Sequence, residues 1–147
     1  MKLVSTDYLN RLKGLEAGSV ELSICYFSTV TGKEKLDGFG SSYWVENLVS
    51  PVRFSTALQK LCQELRHMSL NLIEIGPHKA LSGPTRQTLA SLQADGFSYS
   101  YIPTLVRGEN SVESLMNTWS LLFRSGSELD IGVVAALSIS RSSPQTS

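Results

Sequence analysis

The sequence predicts an α/β fold in which a short parallel sheet is flanked by helices. Segments rich in β-branched and aromatic residues alternate with helical patterns of about 10 to 15 residues, and this alternation is typical of parallel sheets. The clearest strand, Leu70 to Ile75, is almost continuously apolar, as strands buried on both faces are. The predicted order is helix, strand, helix, strand, helix, strand, helix.

The first part of the chain is predicted to form a helix, a strand and an irregular segment. The apolar residues of the helix recur at helical spacing: Val4, Tyr8, Leu12 and Leu15. Gly18 is its predicted end. Ile24 to Val30 is rich in β-branched and aromatic residues and predicts a strand. Thr31 to Lys35 is a predicted turn, and the glycines after it predict an irregular segment up to Tyr43.

A second helix is predicted from Pro51 to about His67, with Ser50 as its N-cap. Its apolar residues share one face: Phe54, Leu58, Leu61, Cys62 and Leu65. Tyr43 and Trp44 precede this cap, so we expect the two aromatic side chains to anchor a loop that enters the helix.

Two further helices are predicted around a third strand. The first runs from Lys79 to Gln93, with Pro84 as a kink or fresh start, and its inward residues are Leu81, Leu89 and Leu92. Gly96 ends it, and Phe97 to Ile102 forms the strand. Asn110 and Glu113 resemble a capping box for the last helix, which Gly126 closes. Its predicted apolar face comprises Val112, Leu115, Met116, Trp119, Leu122 and Phe123.

Composition excludes several classes of protein. Thirteen basic and thirteen acidic residues cancel, so no basic surface for nucleic acid is predicted. The apolar run Ile131 to Leu137 is too short to span a bilayer, and the N-terminus lacks the apolar core of a signal peptide. Cys25 and Cys62 are isolated thiols, which indicates a reducing, cytoplasmic location without disulfides. Two distant histidines and two distant cysteines predict no metal site.

Two motifs, taken together, resemble one enzyme family. They are Tyr43-Trp44-x-x-Asn47-Leu48-x-x-Pro51-Val52-Arg53-Phe54 and, further along, Glu74-Ile75-Gly76-Pro77-His78-x-Ala80-Leu81. In this order they resemble the C-terminal half of the acyltransferase (malonyl-CoA:ACP transacylase) domain of fungal-type iterative type I polyketide synthases. The resemblance implies a partial, α/β-hydrolase-like large subdomain over residues 1–127. Residues 128–147, rich in serine, are expected to form an irregular, flexible tail.

The resemblance implies transfer of a malonyl-type unit from coenzyme A to an acyl carrier protein through a serine ester. A serine hydroxyl needs a neighbouring base, and the oxyanion needs backbone donors. The chain contains no Gly-x-Ser-x-Gly sequence. The family's histidine motif would fall just before Met1, because Met1 to Leu3 resembles the residues after it. We therefore expect this chain to contain neither catalytic nucleophile nor base, to bind no cofactor, and to be inactive alone.

The resemblance assigns one supporting role to Asn47. In the family, the residue at this position orients the catalytic histidine through its backbone carbonyl, as an aspartate does in a triad. The alternative is that Asn47 only terminates a loop. Because the contact is made by the backbone, the identity of the side chain does not distinguish the two.

Other polar residues have structural alternatives. Glu74 is expected to pair with an arginine or a backbone N–H, with catalysis as the alternative. A ring nitrogen of His78 is expected to bond a backbone group at the strand end, and His67 to interact with a helix dipole. Cys62 and His67 are close enough in sequence for a dyad, but no neighbour that would lower the pKa of this thiol is evident. Arg53 and Arg86 would pair with carboxylates or contact coenzyme A phosphates.

A rival hypothesis is a non-catalytic interaction or complementation module. The parts of the domain that the resemblance does not cover would leave apolar sheet and helix surface open, and such patches favour association. The partners would then be the remainder of a polyketide synthase, an acyl carrier protein or a second copy of the chain.

Overall fold

The structure is a computed structural model of the 147-residue chain, and it describes residues 2–15, 18–19, 24–130 and 132. The chain divides into two compact units, one comprising Met1–Met68 with Gly83–Phe97 and the other Ser69–Ser82 with Ser98–Ser147. The elements are α1 (Lys2–Arg11), β1 (Phe27–Ser28), β2 (Lys33–Glu34), α2 (Ser41–Val49), α3 (Phe54–Glu64), β3 (Leu70–Glu74), α4 (Ser82–Ala94), β4 (Tyr99–Pro103) and α5 (Ser111–Arg124).

The predicted α/β class and the parallel pairing of the later strands are confirmed. β3 pairs with β4 in parallel, with Leu70 opposite Tyr99 and Glu74 opposite Pro103. Helix α4 connects the two strands along the chain, as parallel strands require. The predicted burial of β3 on both faces is wrong: alternate residues are exposed, and Ile73 is 44% exposed. Within the described residues this sheet has two strands, which leaves the apolar side chain of Ile73 on β3 partly exposed.

The first predicted strand is much shorter than expected. Of Ile24 to Val30, only β1 forms a strand, and it pairs antiparallel with β2, which lies inside the predicted turn. Gly32 allows this hairpin, because its φ of 69° is a conformation that residues with a side chain rarely adopt. Helix α1 also ends before Gly18: Gly14, with a φ of 91°, turns the chain three residues after Arg11.

Tyr43 and Trp44 lie inside helix α2, where the sequence predicts a loop. Ser50 is the C-cap of α2 and not the N-cap of α3, which begins at Phe54 after Arg53. The reason lies in Pro51, since the residue before a proline prefers an extended backbone. Ser50 accordingly has a ψ of 153°. The three residues after Ser50 are extended or irregular, and the Arg53 N–H donates to the Thr29 carbonyl at 2.7 Å.

The core of the first unit forms on the predicted apolar face of α3. Of the predicted residues, Cys62 is buried and the others are half-buried; Ala57, which was not predicted, is also buried. From α4, Leu89 is fully buried, and the Thr88 hydroxyl donates to the Ser55 Oγ at 3.0 Å. Pro84 does not kink α4, because it lies in the first turn, where a backbone N–H has no intrahelical partner. Leu81 precedes the helix and is 40% exposed, contrary to prediction.

The second unit is held together by α5 against β4. Ile102 is buried, and the Thr118 hydroxyl donates to the Pro103 carbonyl at 3.0 Å. The predicted N-cap is confirmed: the Asn110 Oδ1 accepts from the N–H groups of Val112 and Glu113. The predicted apolar face is half-buried except for its last residue, the exposed Phe123.

Residues 131 and 133–147 lie outside the described residues, and most of the predicted tail and its apolar run lie there. Of the described helices, none has the length and apolar character needed to cross a membrane.

Gly32, in the turn of the hairpin, is expected to tolerate substitution less well than Gly38, which follows the hairpin. An added Cβ would lie 2.9 Å from the Thr56 Cγ2, whereas one added at Gly38 would meet only the flexible end of Lys35. Both glycines have positive φ. We expect Gly32→Ala to lower the free energy of unfolding by about 2–4 kcal/mol and Gly38→Ala by about 1–2 kcal/mol, measured by urea denaturation. Equal losses would contradict the close contact between hairpin and α3.

The cap of α5 makes a second stability prediction. Asn110→Ala removes the acceptor of two N–H groups at the start of the helix. We expect a loss of about 1 kcal/mol in the free energy of unfolding, and a loss of only a few tenths for Asn110→Asp, which keeps an acceptor. Urea denaturation of both variants checks this. An alanine variant as stable as the aspartate variant would show that the cap contributes nothing.

Candidate functional site

An aromatic cluster in the first unit joins helix α2 to the chain before it. Tyr43 is buried, and its ring contacts Phe39 and Trp44 edge to face, with centroids 5.4 and 5.1 Å apart. Tyr26 makes the same kind of contact with Phe39 at 5.1 Å. Edge-to-face geometry places a positive ring edge against a negative ring face and favours a fixed arrangement.

Three hydroxyl groups are hydrogen-bonded within this cluster. The Tyr43 hydroxyl lies 2.9 Å from the Ser28 Oγ and 3.0 Å from the Tyr26 hydroxyl. Ser28 is fully buried, and its Oγ also accepts from the Val30 N–H at 3.1 Å. Burial, followed by the hydrogen bond to Tyr43 and that neighbour's charge, raises the pKa of Tyr26 to about 12. The phenol of Tyr26 therefore remains protonated well above neutral pH.

Two further contacts fix the start of α2. The Trp44 Nε1–H donates to the Phe39 carbonyl at 2.9 Å. The Lys35 Nζ lies 5.0 Å from the centroid of the Tyr43 ring and 5.3 Å from that of Phe39, within the range of a cation–π interaction. The helix is thus held by hydroxyl, indole and ammonium groups as well as by packing.

Asn47 lies one helical turn after Tyr43, near the end of α2, and its side chain is exposed. The carbonyls of the last helical turn have no intrahelical N–H partner. The residue four positions after Asn47 is Pro51, which has no N–H, and the Ser50 N–H donates to the Glu46 carbonyl. Among the described residues, no main-chain N–H therefore donates to the Asn47 carbonyl.

Glu74 anchors the Gly-Pro-His turn in the second unit. Its carboxylate accepts from the Leu81 N–H at 3.2 Å and from the Tyr101 hydroxyl. The Thr104 N–H donates to the Glu74 carbonyl at 2.9 Å. The predicted pairing of Glu74 with a backbone N–H is confirmed, so this carboxylate closes the loop that precedes α4.

His78 is exposed at this turn. Its carbonyl accepts from the Ala80 N–H, but its ring makes no hydrogen bond to any described residue. The prediction that a ring nitrogen bonds a backbone group is therefore wrong. The short loop already closes through the carboxylate of Glu74, which leaves the imidazole facing solvent.

The second histidine, His67, is exposed just beyond the end of α3. It lines an open cavity of about 610 Å³ together with Gln63, Arg66, Leu92, Asp95, Gly96 and Phe97. Cys62 is fully buried, and burial raises the pKa of its thiol. A raised pKa is the opposite of what a nucleophilic thiolate requires, which argues against a Cys62–His67 dyad.

Neither proposed arginine forms an ion pair with a residue that the structure describes. Arg53 and Arg86 are both exposed, and neither forms a salt bridge with a described carboxylate. The described part of the chain also contains no cluster of three or more metal-ligating side chains.

The sequence does not reveal the Ser28–Tyr43–Tyr26 network. Ser28 lies in a predicted strand and Tyr43 in a predicted loop, and no spacing rule joins them across the intervening residues. The sequence shows only that Tyr26 and Tyr43 lie on either side of Ser28 and a glycine-rich connection. This pattern is too general to predict a contact.

Comparison with known proteins adds relatives that cover most of the chain. No profile of a known protein family matches it. It is 43% identical to "Highly reducing polyketide synthase SAT13" of Stachybotrys chartarum over 80% of the chain. It is also 43% identical to "Highly reducing polyketide synthase easB" of Emericella nidulans over 83% of the chain, and 36% identical to "Highly reducing polyketide synthase 17" of Metarhizium anisopliae over 93%. The chain spans only 5% of the length of each of these synthases.

A solved structure identifies the fold. The acyltransferase domain from the second module of the salinomycin polyketide synthase superposes with a TM-score of 0.73 at 20% sequence identity. The match covers 99% of this chain and 32% of that one. Over most of its length the chain is therefore homologous to fungal highly reducing polyketide synthases, and it has the fold of a polyketide synthase acyltransferase domain, of which it fits a C-terminal segment.

Proposed function

We propose that the chain forms one wall of an acyltransferase active site that moves a malonyl-type unit from coenzyme A to an acyl carrier protein. The observation that carries this proposal is the acyltransferase fold over 99% of the chain, combined with its fungal synthase relatives. The chain contains no Gly-x-Ser-x-Gly sequence, so the nucleophilic serine and its base come from protein outside this chain. Alone, the chain is inactive.

The proposed contribution of this wall is the backbone carbonyl of Asn47. A carbonyl without a local N–H donor can accept from the Nδ1–H of a histidine base and hold that base in the correct tautomer. The missing N–H of Pro51 supports this role. Helix α1, which the family resemblance puts directly after the histidine motif, contacts α2, the helix that contains Asn47.

The substrates and partners follow from the proposed reaction. Acyl-coenzyme A supplies the acyl group, and the phosphopantetheine thiol of a carrier protein receives it. The exposed Arg53 and Arg86, which have no carboxylate partner among the described residues, remain candidates for contacts to coenzyme A phosphates. Both cysteines are free, in keeping with a cytoplasmic location. The proposed functional segment comprises residues 1–127.

The proposal predicts acyl transfer only when the missing catalytic groups are supplied. In a hybrid synthase, this full chain replaces the aligned segment of the Emericella nidulans relative. On incubation with labelled malonyl-coenzyme A, the hybrid synthase should retain a covalent label and the isolated chain should retain none, because a serine nucleophile requires a neighbouring base. Mass spectrometry of the peptides measures the covalent label on the hybrid synthase and on the isolated chain.

The control is the same hybrid synthase with the relative's nucleophilic serine replaced by alanine. A stable label on the isolated chain would contradict its inactivity. An unlabelled hybrid, beside a labelled parent synthase, would contradict the proposed acyltransferase function.

A second candidate function, complementation of a separate acyltransferase piece, is favoured by the open sheet in the second unit. A two-stranded parallel sheet is rarely stable without further cover, and Ile73 on β3 is 44% exposed. The solved acyltransferase structure is about three times as long as the segment that matches here, since the match covers 32% of it. The rest of such a domain would supply the missing strands.

Co-expression with the N-terminal remainder of the relative's acyltransferase domain tests this second function. We expect the two pieces to co-purify, and Ile73→Lys to abolish the complex because a charge would be buried in the new interface. The matched control is Phe123→Lys, which alters an exposed apolar residue on α5 and should leave the complex intact. Failure to co-purify, or equal effects of both variants, would contradict complementation through the sheet.

A further inference from the structure

We propose that Tyr43 is a positioning residue whose hydrogen bond to Ser28 sets the direction of the Asn47 carbonyl, and hence the orientation of the histidine base. This inference rests on the proposed function. It assigns a task to a buried hydroxyl pair that the reaction does not itself use.

The contacts show why this bond controls the direction of α2. Tyr43 is 5% exposed and Ser28 is fully buried, and their oxygens are 2.9 Å apart. The Ser28 Oγ also accepts from the Val30 N–H, which fixes its position beside the turn of the hairpin. If either hydroxyl is removed, the other loses a buried partner, so the pair maintains one relative placement of hairpin and helix.

The link from Tyr43 to Asn47 is the helix itself. The two residues are four apart, which places them on the same face and about 6 Å apart along the helix axis. Carbonyl groups of an α-helix point along its axis towards the C-terminus, so a tilt of α2 turns the Asn47 carbonyl by the same angle. Displacements of about 1 Å at a catalytic hydrogen bond can reduce rates by about 100-fold.

Tyr26 provides the matched comparison. Its hydroxyl lies 3.0 Å from that of Tyr43, and no hydrogen bond joins it to Ser28. Tyr26→Phe therefore removes one hydroxyl from the same cluster and keeps the Tyr43–Ser28 bond. Lys35 is the charged group that lies against the Tyr43 ring, and it is unchanged in every variant.

The experiment measures the pH dependence of kcat/KM for malonyl transfer in the hybrid synthase. We expect Tyr43→Phe to lower the plateau about 10- to 100-fold, and Tyr26→Phe less than about threefold. Tyr43→Phe should also move the acidic limb to lower pH. The reason is that a carbonyl accepting from Nδ1–H stabilises the imidazolium, so a weakened bond lowers the pKa of the base. Ser28→Ala, which breaks the same bond from the other side, should reproduce both changes.

A role in stability alone would reduce the amount of folded protein without moving the acidic limb, and this result would overturn the inference. So would equal pH profiles for Tyr43→Phe and Tyr26→Phe. If Tyr43→Phe does not fold, Ser28→Ala serves in its place: a shifted acidic limb supports the inference and an unshifted one overturns it. An unmutated hybrid synthase without transfer would overturn the proposed function and this inference together, whereas an active hybrid with unshifted variants would overturn only the latter.

Discussion

The hydrogen bond between the buried hydroxyls of Ser28 and Tyr43 joins the β1–β2 hairpin to helix α2 in the first unit. A buried hydroxyl without a partner is destabilising by roughly 1–3 kcal/mol, so this pair restricts the hairpin and α2 to one relative placement. Apolar packing alone would tolerate small shifts, since it has no direction. The backbone bond from Arg53 to Thr29 then fixes the chain after α2 to the same hairpin.

The second unit is organised differently, around a carboxylate at the end of a strand. Glu74 accepts from a backbone N–H seven residues later and from a tyrosine of the neighbouring strand. One side chain thus closes the Gly-Pro-His turn. It also adds a side-chain hydrogen bond between β3 and β4 to the backbone hydrogen bonds that pair them. These contacts explain why a carboxylate ends a strand that is mostly apolar, and they remove the need to assign Glu74 a part in catalysis.

Local patterns predicted the later elements well. The parallel strands, the apolar face of α3 and the cap at Asn110 all depend on periodicity or on neighbours within a few residues. The boundary between α2 and α3 was predicted poorly, because Pro51 admits two interpretations. A proline can lie in the first turn of a helix or just after the end of one, and here helix α2 ends before it. In the candidate site, the family motif identified Asn47 from the sequence. The Ser28–Tyr43 hydrogen bond could not be identified in this way.

Pro51 has a consequence for how the proposed site would tolerate mutation. A carbonyl is common to every amino acid, so drift at position 47 would leave its chemistry unchanged provided that the helix persists. The constraint lies instead four residues downstream, where only an imino acid lacks the hydrogen that competes for that oxygen. Among divergent copies of this segment that keep the site, we therefore expect proline at position 51 to be conserved more strongly than the residue at position 47.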